Sequence, residues 1–335
     1  MIKKIILLYL LNTVNSYILP QTFKNWHCIN FEKNIDKSKP YSYNIGELPL
    51  ITWFDQNNLN KSFTTINICK HMGSLLDNGK VLNDCLICPY HNFKYTYNDT
   101  YGETIIYQNK LWWSFKPNNK LPPDTPLYNN NNFNNLLIEK DFNANIIDCM
   151  LNILDINYHK KLLFNIFNIN LTLNNLKIVN YKNNNNKLGI KFNCNELNKL
   201  DIYYTFEYPY TSYYFIIFNN QKIIININLL PINNNKTRWF IDIKYINFKS
   251  FISKILIKII IKIILNQNEK KINNISHNTI IKYFITYNFN KNNEIYNNSN
   301  NIFITFFYNI KQKYINYLFP DKYCIQNFIK NIKFY

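Results

Sequence analysis

Residues 69 to 91 read Cys-Lys-His-Met-Gly-Ser-Leu-Leu-Asp-Asn-Gly-Lys-Val-Leu-Asn-Asp-Cys-Leu-Ile-Cys-Pro-Tyr-His. The chain has seven Cys and five His, and five of those twelve side chains fall in this window. The skeleton is C-x-H, sixteen residues, then C-x-x-H. Each half sets one thiolate and one imidazole at a loop tip, within reach of a shared metal centre. Two Cys on one iron and two His on a second is the mixed ligand set of one class of [2Fe–2S] cluster. The competing reading is a Cys2His2 zinc site. Zinc fingers keep like ligands together, C-x2–4-C with H-x3–5-H, and a helix carries the His pair. Here each half is mixed and no helix carries two His. Cys85 has no ligand role in this pattern and reads as a small buried hydrophobe.

A second constellation lies at Asn152-Ile153-Leu154-Asp155-Ile156-Asn157-Tyr158-His159, inside the helical spacing of residues 145–167. Asp155 and His159 are i, i+4 neighbours on one helical face, the placement that an orienting carboxylate and a metal ligand need. Of the other imidazoles, His27 belongs with the N-terminal strands and His277 reads as a surface residue.

These residues need elements to hold them. From Trp26 to about Pro117 the pattern is short strands and turns: Leu48 to Phe54, a turn at Asp55 to Asn58, then Ser62 to Ile68. Four of the five Gly (46, 73, 79 and 102) concentrate there, which marks a small β domain with special backbone conformations. Pro122, Pro123, Pro126 and the run Asn129 to Asn132 read as a linker. Beyond it, residues 188–192, 200–206, 213–218, 223–229 and 239–246 read as a five-stranded antiparallel sheet. Ser250 to Leu265 reads as a surface helix on that sheet, with Phe251, Ile255, Ile259 and Ile263 on one face and Lys254, Lys258 and Lys262 on another. A Lys every fourth residue argues against a membrane span. The expected fold class is α+β: a leader-like segment over 1–20, an antiparallel β domain over 21–120, a linker over 121–136, and an α+β domain over 137–335. In the last, an antiparallel sheet wraps a long helix in a helix-grip-like arrangement.

Composition bounds the rest. The 335 residues carry a formal charge of +18, which suggests nucleic acid or an anionic surface. Yet Lys accounts for 37 of the 38 basic residues, Arg238 is the single Arg, and Asn numbers 65. Proteins that read bases and clamp phosphates lean on Arg, so the charge reflects residue drift and no nucleic-acid partner is expected. The uneven Cys spacing is no disulfide framework. Met1-Ile2-Lys3-Lys4, the apolar run to Leu11 and Ser16 fit a cleaved signal, with secretory or organellar (plastid-like) routing and membrane association among its destinations; a buried first strand or a disordered leader is the other reading.

The cluster window resembles the Rieske domain of Rieske-type non-haem iron oxygenases, and its surroundings agree. Asn25-Trp26-His27-Cys28 resembles the family's opening around a Trp, and Lys37 to Pro40 through Ile45-Gly46-Glu47 its loop and strand before the cluster. Cys85-Leu86-Ile87-Cys88-Pro89-Tyr90-His91 resembles the second cluster loop, with Asn92 where the family usually has Gly. The resemblance implies that Cys69 and Cys88 bind one iron of a [2Fe–2S] cluster and that His71 and His91 bind the other. In the catalytic half the family pattern is N-x-x-D-x-x-H-x4-H. Asn152 and Asp155 match it, Tyr158 stands where the first His is expected, His159 comes one residue late, and the second His is missing. The resemblance implies a mononuclear Fe(II) held by His159 and by Glu269 of Asn268-Glu269-Lys270-Lys271, with Asp155 as the bridge for electrons. Phe206 to Tyr210 and Asn235 to Phe240 resemble paired strands of the pheophorbide a and chlorophyllide a oxygenase branch, whose substrates are tetrapyrroles. Implied with it are electron supply by a ferredoxin or reductase, a bulky apolar or tetrapyrrole-like substrate, O2 as oxidant and a head-to-tail homotrimer. The alternative is a Rieske electron-transfer or binding protein with a degenerate iron site.

Overall fold

A computed structural model of the chain describes residues 24–115, 117, 121–125, 133–154, 158, 177–179, 187–193, 200–207, 210–218, 221–246 and 251–274. The leader-like residues 1–20, Asp155, His159 and His277 lie outside the described residues.

The N-terminal unit consists of nine short strands: β1 (His27–Phe31), β2 (Tyr41–Ile45), β3 (Leu48–Asp55), β4 (Asn58–Ile66), β5 (Lys80–Leu82), β6 (Cys85–Ile87), β7 (Lys94–Tyr95), β8 (Glu103–Tyr107) and β9 (Lys110–Ser114). They pair antiparallel in three sheets, ordered β1-β9-β8, β2-β3-β4 and β5-β6-β7. The β3–β4 hairpin expected from the turn at Asp55 forms, and Asp55 Oδ1 accepts from the Asn57 N–H at 2.9 Å to close it.

The C-terminal unit runs β10 (Asn134–Phe142), α1 (Ile146–Leu154), β11 (Lys177–Val179), β12 (Lys187–Asn193), β13 (Leu200–Glu207), β14 (Thr211–Phe218), β15 (Gln221–Asn233), β16 (Lys236–Ile246) and α2 (Phe251–Asn274). Among the described residues, seven strands form one antiparallel sheet ordered β10-β16-β15-β14-β13-β12-β11. The five expected strands are all present; β10 and β11 add to them, and β10 starts inside the stretch read as linker. Residues 121–125 of that stretch dock on the β8–β9 turn, where Tyr107 donates to Asp124 at 3.1 Å and Gln108 Oε1 accepts from the Thr125 N–H at 2.9 Å. Asn145 starts α1: its Oδ1 accepts from the Asp148 N–H at 2.9 Å and its Nδ2 donates to the Asp148 carboxylate at 2.7 Å, a reciprocal cap.

The period of two along β15 and β16 divides the core. Ile227, Leu229, Trp239, Ile241, Ile243 and Tyr245 face the helices, where they pack with Cys149, Met150 and Ile153 of α1 and with Ile261, Leu265 and Ile272 of α2. Leu230 and Phe240, on the opposite face, pack with Trp26, Phe31 and Trp112 of the N-terminal unit. Strands β15 and β16 are therefore covered on both sides. The helix face differs from the expected one: Ile259 and Ile263 are 49% and 41% exposed, and the buried stripe is Ile261, Leu265, Asn268 and Ile272. Ile runs all round this helix, so sequence alone does not pick the face that packing selects. Among the described residues no helix is long and apolar enough to cross a membrane.

A polar row crosses the interface between the two units. Lys110 Nζ of β9 lies 3.3 Å from Asp242 Oδ2 of β16 and donates to Asn226 Oδ1 of β15 at 2.9 Å, with both charged side chains 2% exposed or less. Thr211 donates to Asn228 Oδ1 at 3.0 Å, and Asn228 donates to Asn226. At the sheet's edge the single Arg grips β10: Arg238 Nε and Nη2 donate to the two Asp141 oxygens at 2.6 and 3.1 Å, and Nη1 lies 3.0 Å from Glu139. A planar fork is what a two-oxygen partner needs, and Lys has none.

Two outcomes follow from these pairs. Replacing Lys110 by Met takes from buried Asp242 the cation 3.3 Å away and leaves it only the attraction of Lys244, so it should cost up to about 3–5 kcal/mol in urea unfolding, with Asp242→Leu in the same chain recovering part of the loss. The Arg238 hydrogen bonds hold the Asp141 carboxyl down at about 2. A carboxyl whose pKa is lower in the folded than in the unfolded chain stabilises above the unfolded value of about 3.9, and that contribution is lost as the pH falls towards about 2. In Arg238→Lys the Asp141 titration, followed by NMR, should move up.

Candidate metal centre

The two ligand loops lie at one tip of the N-terminal unit, one between β4 and β5 and the other between β6 and β7. They are built alike. In the first, the Cys69 N–H donates to Ser74 O at 2.7 Å, and the Gly73 N–H returns to Cys69 O at 2.8 Å. In the second, the Cys88 N–H donates to Phe93 O at 2.9 Å, and the Asn92 N–H returns to Cys88 O at 3.2 Å. The residue four places after each Cys turns to positive φ, +75° at Gly73 and +56° at Asn92. Asn is among the few residues with a side chain that adopt this region readily, which explains how it replaces Gly here.

This closure presents the two Cys inward and the two His outward. Cys69 and Cys88 are 3% and 0% exposed, whereas His71 and His91 are open to solvent with ring centroids 4.8 Å apart and planes at 82°. Among the described residues no three His, Cys, Asp or Glu side chains form a single-ion site. The four predicted ligands come instead as a thiol pair and an imidazole pair. That is the donor set of a cluster whose two irons each take two protein ligands, and the residues fit it.

The thiols differ electrically. Burial alone pushes Cys69 up, but hydrogen bonds from the Tyr95 hydroxyl, the His71 N–H, Cys88 and the Met72 N–H bring it below its ordinary value. Burial pushes Cys28 and Cys149 each up to about 12, leaving both as inert core thiols. Cys85, expected to be buried, is half-exposed beside the β5–β6 turn and donates to Asp84 at 3.2 Å, because the tight hairpin leaves that edge open.

Sequence reading missed the braces of these loops. Tyr95 is fully buried, and its hydroxyl accepts from the Lys70 N–H at 2.6 Å while bonding the Cys69 thiol. Asn67 Oδ1 accepts from the Leu76 N–H at 2.9 Å, and Asn67 Nδ2 donates to Asp77, tying the ends of the first loop. The available signal was Tyr95 in a strand directly after the second loop. Around the His pair, Met72, Leu75, Tyr90 and Phe93 stand exposed as an apolar collar.

The predicted mononuclear site is described in part. Asn152 is buried on α1. Glu269 lies on α2, with its side chain 38% exposed and Oε2 2.7 Å from Lys140 Nζ. His27 is buried against Trp113 and Tyr210, ring centroids 6.1 and 5.6 Å away, in keeping with its place among the N-terminal strands.

A hydroxyl that donates to a ligand sulfur favours the more electron-rich state of a cluster, so Tyr95→Phe should lower the reduction potential. A difference of about 1 kcal/mol between the oxidation states corresponds to about 40 mV for one electron, measurable by redox titration.

Residues 25–109 match the family model for the Rieske [2Fe-2S] domain. The oxygenase component of 3-ketosteroid-9-alpha-monooxygenase from Rhodococcus rhodochrous is 31% identical over 72 residues, 22% of this chain and 18% of that protein. Its counterpart from Mycolicibacterium smegmatis is 30% identical over 87 residues, 24% of this chain and 21% of the relative. The match thus spans about a fifth of these relatives' length. Dicamba monooxygenase bound to dicamba superposes with a TM-score of 0.63 at 11% identity, over 88% of this chain and 97% of that one. Pseudomonas putida NdmA superposes with a TM-score of 0.63 at 13% identity, over 76% and 82% of the two chains. Residues 25–109 are a Rieske [2Fe–2S] domain, and the chain as a whole shares its fold with dicamba monooxygenase and NdmA.

Proposed function

We propose that this chain is the oxygenase component of a multi-component oxidoreductase, drawing electrons from a ferredoxin or reductase and oxidising a bulky apolar substrate with O2. The observation that carries this reading is the pairing of Cys69 with Cys88 and of His71 with His91 at an exposed tip of a chain whose second unit has the oxygenase fold. When bound, the cluster supplies one-electron transfer and a mononuclear Fe(II) supplies O2 activation. The residues of the chain set the conditions. The paired loops keep the thiols out of water and the imidazole edges open. The apolar collar of Met72, Leu75, Tyr90 and Phe93 offers a dry contact to another protein. His159 and Glu269 would hold the Fe(II), and Asp155 would orient that imidazole.

Further parts of the reading follow from this. The resemblance further implies a head-to-tail ring of three, with the tip of one copy beside the second unit of the next. The curated relatives are named for ketosteroids, and the sequence resemblance points to tetrapyrroles. Both are wide, largely apolar ring systems. A second reading, an electron carrier with a lapsed iron site, draws on the Glu269–Lys140 pair, which occupies the carboxylate expected to face iron.

Purified protein should be red-brown and, when reduced, should show the EPR signal of a mixed Cys/His [2Fe–2S] cluster; His91→Cys should lower its potential, since imidazole ligation raises it. A colourless protein holding stoichiometric zinc after expression in iron-replete cells would overturn the proposal. After anaerobic iron loading, three irons per chain support the oxygenase, and two support the carrier.

A further inference from the structure

The side of α2 turned away from the sheet carries its own pattern. Within the C-terminal unit, the exposed large apolar side chains among the described residues are Ile259 and Ile263, at 49% and 41%. They stand one helical turn apart, and Ile263 lies two residues, about 200° of helix, from buried Ile261. Lys258 and Lys262 precede them, also one turn apart and open to solvent. One residue is about 100° of helix, so the two Lys form a row along the flank of the two Ile. Neither Lys enters an ion pair among the described residues. The charge of the helix is one-sided: its 24 residues hold five Lys and a single acid, Glu269, whose carboxylate is taken up by Lys140 at 2.7 Å.

An apolar row edged by unpaired cations calls for an occupant that is anionic at its surface and apolar beneath. A second copy docking through the same helix would set one Lys row against the other. Residues 275–335 carry seven Lys against Glu294 and Asp321, so they too bring like charge. A nucleic acid has the charge but no apolar layer for the Ile pair to enter. Two Ile side chains are also far short of the about 1,200 Å² or more that a stable protein interface buries. An anionic bilayer meets both requirements. Apolar side chains enter the boundary between headgroups and acyl chains, and Lys stems lie along it with their ammonium groups at the phosphates.

We propose that α2 docks this chain reversibly on an anionic membrane surface, with Ile259 and Ile263 inserted and Lys258 and Lys262 on the lipid headgroups. The helix lies in the plane of the membrane and does not cross it. The contact keeps the protein at the phase where a bulky apolar substrate collects; that consequence rests on the reading of function above, and the docking itself does not.

The test is co-sedimentation of the full chain, cluster loaded, with vesicles of phosphatidylcholine containing about 30% phosphatidylserine and with vesicles of phosphatidylcholine alone. Wild type should bind the anionic vesicles, bind the neutral ones about ten-fold more weakly or worse, and be released as salt rises from about 0.1 to about 0.5 M. Ile259→Ser with Ile263→Ser, and separately Lys258→Glu with Lys262→Glu, should each weaken binding about ten-fold or more. Lys80→Glu with Lys94→Glu, a pair equally exposed in the N-terminal unit, should leave it unchanged. Wild type that stays in the supernatant overturns the proposal, as does equal binding by the α2 variants or an equal loss in the Lys80 and Lys94 variant. A dimer abolished by the Ile variant without vesicle binding gives the face to a second copy, and heparin retention without vesicle binding gives the charge to polyanions; either result overturns it too. Should the Ile variant fail to fold, the Lys258 and Lys262 variant, set against the Lys80 and Lys94 control, decides alone. The cluster's EPR signal is read separately, so failure of the functional reading is not mistaken for failure of the docking.

Discussion

Four side chains from two loops nineteen residues apart must meet as two unlike pairs, and the N-terminal unit is organised around that demand. Thiolates belong in a dry, hydrogen-bonded setting, and imidazoles that exchange electrons with a partner belong at an edge. Both loops meet the demand with one backbone device. The Cys carbonyl accepts the N–H four residues on, the chain there turns to positive φ, and the Cys N–H is tied to the carbonyl five residues on. The Cys thereby points into the core of Trp53, Leu86 and Tyr95, and the His points away from it. Around the pairs, Tyr95, Asn67 and Ser74 bond to loop backbone or to the ligand sulfurs, so the tip is braced by its own polar groups.

The second unit solves a different problem, a pair of central strands buried on both faces. Its central strands read as long apolar runs because one side packs the helices and the other packs the N-terminal unit. Where the second contact needs direction, the sheet places Asn226, Asn228 and Asp242 against Lys110. A buried ion pair contributes little net stability against well-packed apolar residues, but mismatching it is expensive. The polar row therefore suits a role in fixing how the two units dock. The retention of Arg at position 238 in a chain that otherwise uses Lys has a local reason as well: the edge strand offers a two-oxygen carboxylate and a second acid beside it.

Several features were legible from residue order because they depend on near neighbours. The C-x-H and C-x-x-H spacing points to a mixed ligand set, the turn at Asp55 sets the β3–β4 hairpin, and alternation marks five of the seven strands described in the large sheet. β10 escaped because its start is Asn-rich and its partner β16 lies about a hundred residues away, so its strand character comes from pairing. The buried side of α2 escaped for a related reason: with Ile on every side, local sequence offers no preferred face, and the sheet chooses one.

The sequence by itself determined which donors the tip offers, two Cys and two His in loops of matched spacing. It also determined the order of a β unit followed by a sheet with a long helix, because strand and helix periods are properties of short segments. Tertiary structure alone decided which oxygen of the Asn268-Glu269 pair turns inward, that Tyr95 reaches Cys69, and that Lys110 meets Asp242 across the interface. Each of these joins residues that sequence places apart, or separates residues that sequence places together. The physical reason is common to all three: a side chain's direction is set by the packing of the whole element against its neighbours, and residue order does not contain that information until the chain has folded.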